Sequence, residues 1–167
     1  MATITLAVDG VVVADAWALT AGATKVLAVA APDDDLTSYV TGTANQAQSF
    51  SFGPPTGITL SDRVTNVRFV LRGRSTAGDP CQVYSLFGTT PGAGNAYSPG
   101  VSFATTNFDY PLEPGGVDWT ATSLASLGIQ FENPIGGGTV DVSTVTAIIT
   151  YTPGFYSNDR LPIMGVS

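Results

Sequence analysis

The chain has 167 residues, of which 44% are apolar and only 11% charged, and its formal net charge is −7. That length allows one domain with a core burying roughly 70% of the unfolded surface, without help from a disulfide or a metal. The acidic balance argues against direct nucleic-acid binding, which needs a basic stripe to neutralise phosphates, and against an anionic membrane surface.

The side chains that most often do covalent and proton-transfer chemistry are nearly missing. Histidine is absent, and lysine and cysteine occur once each, as Lys25 and Cys81. Serines and threonines are plentiful, but no imidazole exists to activate one. A carboxylate pair such as Glu113 and Asp118 meets the bare requirement of glycoside hydrolysis. Thirteen acids make accidental pairs common, so no enzyme, cofactor or metal is expected. Cys81 has no partner in the chain and reads as a small buried hydrophobe. No run reaches the roughly 18 apolar residues of a bilayer span. Met1 to Thr5 lacks the basic start of a secretion signal, so folding in the cytoplasm is expected.

In chain order, alternation dominates over helical spacing. Thr3 to Val8 reads as a strand, and Asp9-Gly10 as a hairpin turn before Val11-Val12-Val13. Thr24 to Val29 is a further strand, broken by Ala31 to Asp35, with extended structure resuming from Thr37 to Thr41. Gln48 to Phe52 is short and stops at Gly53-Pro54-Pro55. Val64 to Arg74 alternates cleanly, placing Val67, Phe69 and Leu71 on one face and Arg68, Val70, Arg72 and Arg74 on the other. Gly78-Asp79-Pro80 is a turn, and Cys81 to Phe87 returns, which predicts a hairpin from Val64 to Phe87. Thr89 to Gly100 is a loop, Val101 to Phe108 a strand, and Pro111 to Gly116 a loop. One short helix is predicted near Asp118 to Leu127, capped by Asp118 or Thr120. Gly128 to Glu132 is a strand with Ile129 and Phe131 on one face. Gly136-Gly137-Gly138 is a turn, and Val140 to Thr152 is the last long strand.

Eight or nine short strands with regular turns predict an all-β antiparallel β-sandwich, jelly-roll or immunoglobulin-like, with one short helix and extended termini. The expected organisation is an N-terminal strand or arm over residues 1–22, a sandwich over 23–152 and a C-terminal arm over 153–167. The tail carries Phe155, Tyr156, Leu161, Ile163 and Met164, and glycine and proline deny it a long regular element. It is either a loose terminus or an arm for a neighbouring subunit.

Several motifs have two readings. Asp33-Asp34-Asp35 lacks the 1, 3, 5 spacing of a calcium loop and is a solvated turn or a contact between subunits. Arg68, Arg72 and Arg74 either meet acidic cross-strand partners or dock an acidic neighbour. Trp17 and Trp119, with Tyr84, Tyr97, Tyr110, Tyr151 and Tyr156, could form a platform for stacking on a sugar; Trp119 beside the short helix reads as core, no period-2 row of rings is found, and the loop tyrosines Tyr97 and Tyr110 are the candidates that remain. Gly136-Gly137-Gly138 and Gly92-Ala93-Gly94 lack the residues of a phosphate loop.

Three segments carry a resemblance. They are Thr24-Lys25-Val26-Leu27-Ala28-Val29 with Pro32 to Val40, Trp119-Thr120 through Leu124, Leu127, Gly128 and Ile129, and Val140 to Tyr151. Over residues 24 to 152 this order resembles β-sandwich structural proteins of tailed bacteriophages. The resemblance implies a virion protein, foremost a head decoration (cement) subunit that binds the major capsid protein or other virion proteins. It implies no catalytic residue, and the place of action would be the virion. A poorly charged surface is often covered by neighbours, so a homo-oligomer is expected. A carbohydrate-binding host-attachment module and a tail or neck ring subunit remain alternatives.

Overall fold

The computed structural model describes residues 1–20, 24–30, 38–76, 81–134 and 138–154. Ten strands form: β1 (Ala2–Asp15), β2 (Ala18–Leu19), β3 (Val40–Gly42), β4 (Gln46–Phe52), β5 (Arg63–Ser75), β6 (Cys81–Phe87), β7 (Thr90–Tyr97), β8 (Ala104–Tyr110), β9 (Leu127–Asn133) and β10 (Val140–Thr152). Two short helices join them, α1 (Lys25–Ala30) and α2 (Ala121–Leu124).

All the strand pairings are antiparallel, and they build two sheets. The first runs β1-β10-β5-β8, with β3 and then β2 continuing beside the start of β10. The second runs β1-β4-β9-β6-β7. Setting β2 and β3 aside, the eight long strands divide as β1, β10, β5, β8 and β4, β9, β6, β7. That division is the jelly-roll order, which decides between the two sandwich topologies the sequence allowed.

The core lies between the sheets. Val67, Phe69 and Leu71 of β5 and Val145, Ala147 and Ile149 of β10 face Phe50 and Phe52 of β4 and Ile129 and Phe131 of β9, all buried. Phe52 and Phe69 stack across the sandwich, with ring centres 5.5 Å apart. On β10 the buried apolar positions switch from even numbers (Val140, Val142) to odd ones (Val145, Ala147, Ile149). A register break between Val142 and Thr144 against β5 accounts for the switch, because one extra residue reverses the facing of the residues beyond it.

β1 belongs to both sheets. Ala2 to Ala7 pair with β10, and Val8 to Asp15 pair with β4. Asp9-Gly10 therefore does not turn the chain back on itself; it is the irregularity at which the strand changes sheet. A side chain on Gly10 would lie 2.7 Å from the Ser51 hydroxyl, so glycine serves a close approach within a strand. Beyond it, the register moves from Val11↔Phe50 to Asp15↔Gln48, leaving three β1 residues opposite Ser49. The buried Ser49 hydroxyl accepts from the backbone N–H groups of Val13 and Ala14, at 2.9 Å each, and donates to the Ala14 carbonyl. One side chain thus does the work of the missing ladder bonds.

Three further local expectations differ from the structure. Thr24 to Val29 is helical, not extended, so there are two short helices and not one. Thr24 caps α1 by accepting from the Leu27 N–H, and Ala28 and Val29 are buried where α1 packs on β1, β10 and β3. Burial in that position overrides the strand preference of two valines. Val64 to Phe87 is no hairpin: β5 pairs with β10 and β8, while β6 pairs with β7 and β9 in the other sheet. Thr89 to Gly100 is largely the edge strand β7, where proline and glycine are tolerated because one side needs no partner. Of the two readings of the N-terminal segment, strand or arm, the described residues form the strand β1, which belongs to both sheets. The α2 region was placed correctly; Thr120 is its cap, in a reciprocal capping box with Ser123.

The Ser49→Ala variant leaves two backbone donors at the sheet crossing without an acceptor. We expect it to lower the unfolding free energy by about 1–3 kcal/mol, measured by urea denaturation, without altering the far-ultraviolet dichroism.

Candidate functional site

The broad outer surface of the first sheet is the face the sequence marked with arginines. Directly opposed residues of neighbouring strands share a face. The register therefore lays out rows: Thr3, Thr150 and Asn66; Thr5, Ile148, Arg68 and Asp109; Ala7, Thr146, Val70 and Asn107; and Thr144, Arg72 and Thr105. Threonines and other short side chains predominate. The flanking strands β1 and β8 expose Thr3, Thr5, Ala7, Thr105 and Asn107, while Thr146, Ile148 and Val70 on the central strands are half-buried. The result is a weakly charged face of mostly short side chains, open except at Thr144, which is buried.

The three arginines sit on it in different ways. Arg68 is directly opposite Asp109 and grips it with two bonds, Nε to Oδ1 at 2.8 Å and Nη2 to Oδ2 at 3.0 Å. Asn66 adds a third donor to the same carboxylate. Arg74 is directly opposite Asp141, with Nε 2.8 Å from Oδ2, and Thr41 donates to the other oxygen. The Arg74 guanidinium also lies 4.8 Å from the centre of the Phe103 ring and 5.4 Å from that of Tyr39, a cation–π clamp. Arg72 lies between Thr144 and Thr105, and no carboxylate among the described residues pairs with it. Its Nε is buried without an acceptor.

Two of the three arginines thus have the acidic cross-strand partners of the simpler reading. Lys25 is also engaged, 2.5 Å from Asp15. The remaining candidates, Asp33, Asp34, Asp35, Phe155, Tyr156, Leu161, Ile163 and Met164, lie outside the described residues. Sequence reasoning missed Asp109 and Asp141 as partners. It also missed the threonine rows, whose signal is the alternation of Thr3 with Thr5 and of Thr144 with Thr146.

The aromatic reading needs correction. Tyr97 and Tyr110 are buried, not presented by loops. The Tyr110 hydroxyl donates to the Val83 carbonyl and the Trp119 indole to the Tyr110 carbonyl, so these rings tie the core together. Trp17 is also buried, its indole donating to the Gln46 carbonyl. Among the described residues, Phe87 is the one exposed aromatic ring. A row of rings for stacking on a sugar is not formed by them.

An open cleft of about 380 Å³ lies beside the edge strands β7 and β8, with Asn95, Asp109, Tyr110 and Glu113 on its walls. Two of these polar groups are turned to internal use, Asp109 held by Arg68 and Asn66 and Tyr110 by Val83, while Glu113 Oε2 is buried without a hydrogen-bond partner among the described residues. Among the described residues, no three potential ligands from His, Cys, Asp and Glu come together for a metal.

The titration of these groups gives two expectations. Asp109 is held below the usual carboxylate range, first by the Arg68 hydrogen bonds. Asp62, at the start of β5, is lowered by the backbone N–H groups of Thr59 and Gly154, and Asp15 by Lys25. A carboxylate with a depressed folded-state pKa contributes stability above its unfolded value and loses it as pH falls through the folded one. The unfolding free energy should therefore be level at neutral pH and fall below about pH 4. In the Asp109→Asn variant this acid-side fall should be shallower, by urea denaturation at each pH. Burial pushes the Cys81 thiol up to about 12. It should resist a thiol reagent at pH 8 in the folded protein and react fully in guanidinium.

No protein-family model matches the chain, and no curated protein sequence does. Among solved structures it is similar to the crystal structure of a GH26-CBM35 β-(1,4)-mannanase from Podospora anserina. The TM-score is 0.45, with 12% identity over 90% of this chain and 28% of that chain, so the present chain spans less than a third of its length.

Proposed function

We propose that the chain is a non-enzymatic structural subunit of a virus particle, a decoration protein that binds and reinforces a bacteriophage head. The observation that carries the reading is the broad outer face of the first sheet. It is threonine-rich, and its ion pairs are closed within the chain. Charge closed off in this way offers little to a small charged substrate and leaves a surface matched to another protein. The paucity of catalytic side chains agrees with it, as does a chain with so few charges for its surface. Repetition supplies the energetics: each copy contributes a modest contact, and contacts summed over a shell become strong.

The carbohydrate-binding alternative draws no support from the described aromatic residues, which are mostly buried. A ring subunit of tail or neck would reveal itself by light scattering as a hexamer or dodecamer.

Mixing the purified protein with expanded, empty shells of the encoding phage should give saturable cosedimentation and raise the temperature at which the shells come apart. Absence of both would overturn the reading. Removal of residues 155–167 tests the arm: the sandwich should melt as a folded domain while shell binding weakens.

A further inference from the structure

One cation on the outer face of the first sheet is left over. On that face Asp109 cancels Arg68 and Asp141 cancels Arg74, while Arg72 has no carboxylate among the described residues. Arg63, opposite Thr152 at the end of the same face, is itself engaged, so Arg72 stands as an open cation among the described residues of a molecule whose net charge is −7. The Arg72 Nε is buried within the chain and out of a partner's reach, but its Nη donors are not buried and have no carboxylate among the described residues, so they are the ones an outside carboxylate can meet.

We propose that this face docks on the flat, acidic surface of a different protein, which sets a carboxylate against Arg72. The inference rests on the structural-subunit reading above and names the contact through which it acts. The short side chains around Arg72 fit the shape requirement, since Thr146, Val70 and Asn107 let two surfaces approach closely. The partner is acidic because the docking face is the cationic one.

A second copy of this chain is the poorer occupant on two grounds. Twofold pairing of the face with itself sets like charge toward like charge. Pairing it with the outer face of the second sheet, where Glu132 stands opposite Ala47 and Gln82, is head-to-tail. Such head-to-tail contacts propagate into open filaments. The size of the face points the same way. Four strands about 4.8 Å apart and seven residues at about 3.3 Å each cover roughly 440 Å². Counting both partners gives about 880 Å², short of the roughly 1,200 Å² of a stable pair. The contact is weak singly and becomes firm only where many copies sit on one lattice.

The test compares the full-length chain with Arg72→Glu, Arg72→Lys, Thr146→Arg and, on the opposite face, Glu132→Gln. All are first checked for native near-ultraviolet dichroism and then titrated onto expanded empty shells. Arg72→Glu and Thr146→Arg should each weaken shell binding at least tenfold. Arg72→Lys should stay within a few fold of the parent, and Glu132→Gln should match it. If the parent binds while the first two variants bind equally well, the face is not the contact, and the structural reading survives without it. If the parent self-associates in solution and Arg72→Glu abolishes this, the occupant is a second copy and the proposal is overturned. If the parent does not bind shells, the structural reading fails and the docking inference goes with it.

Discussion

The register of β5 against β10 is the constraint on which the rest depends. Twelve opposed residue pairs join these central strands of the first sheet, from Val140↔Ser75 to Thr152↔Arg63. In a strand, a slip of one residue exchanges the two faces. Here a slip would lift Val67, Phe69 and Leu71 out of the core and drive Arg68, Arg72 and Arg74 into it. Burying three guanidinium groups costs far more than the marginal stability of a domain, so one register survives. That register sets Arg68 opposite Asp109 through β8 and Arg74 opposite Asp141 on β10. The ion pairs are consequences of the strand order and not its cause. The exposed one, Arg68 with Asp109, is worth at most about 1 kcal/mol.

The crossing of β1 is the second necessity. Here the first strand serves both sheets, and a continuous strand cannot do so without a bend. Gly10 permits the close approach at the bend, and the Ser49 hydroxyl takes up the N–H groups that the irregular stretch frees. The far end is tied by another short polar side chain. Asp62 accepts from the Gly154 N–H at 2.7 Å and from the Thr59 N–H at 2.7 Å, fixing the point where the chain leaves β10. The residues that follow depart from a held position.

The parts of the fold that follow from local pattern were legible in the sequence. β5, β9 and β10 announce themselves by strict alternation, and the cap of α2 by the spacing of Thr120 and Ser123. The parts decided by distant partners were not. Asp9-Gly10 carries the chemistry of a hairpin turn, and only pairing with two separate sheets makes it a bend. Thr24 to Val29 has strand-forming residues, and only its position over β10 makes it a helix. The turn residues between β5 and β6 suit a hairpin equally well as a passage between sheets, since a turn does not encode which sheet receives the next strand. The site divides the same way. That the arginines share a face is a matter of period 2 and was readable. That two of them are neutralised depends on Asp109 and Asp141, 41 and 67 residues away along the chain.

This division bears on how a weakly charged protein keeps from sticking indiscriminately. Exposed sheet edges and flat β-branched faces invite non-specific pairing. The chain limits the hazard at β7 with proline and two glycines, and on the broad face by closing Arg68 and Arg74 in cross-strand pairs. Under the proposed docking, Arg72 is the side chain through which the face would tell an acidic surface from a cationic one, because the charges beside it, Arg68 with Asp109 and Arg74 with Asp141, are already paired.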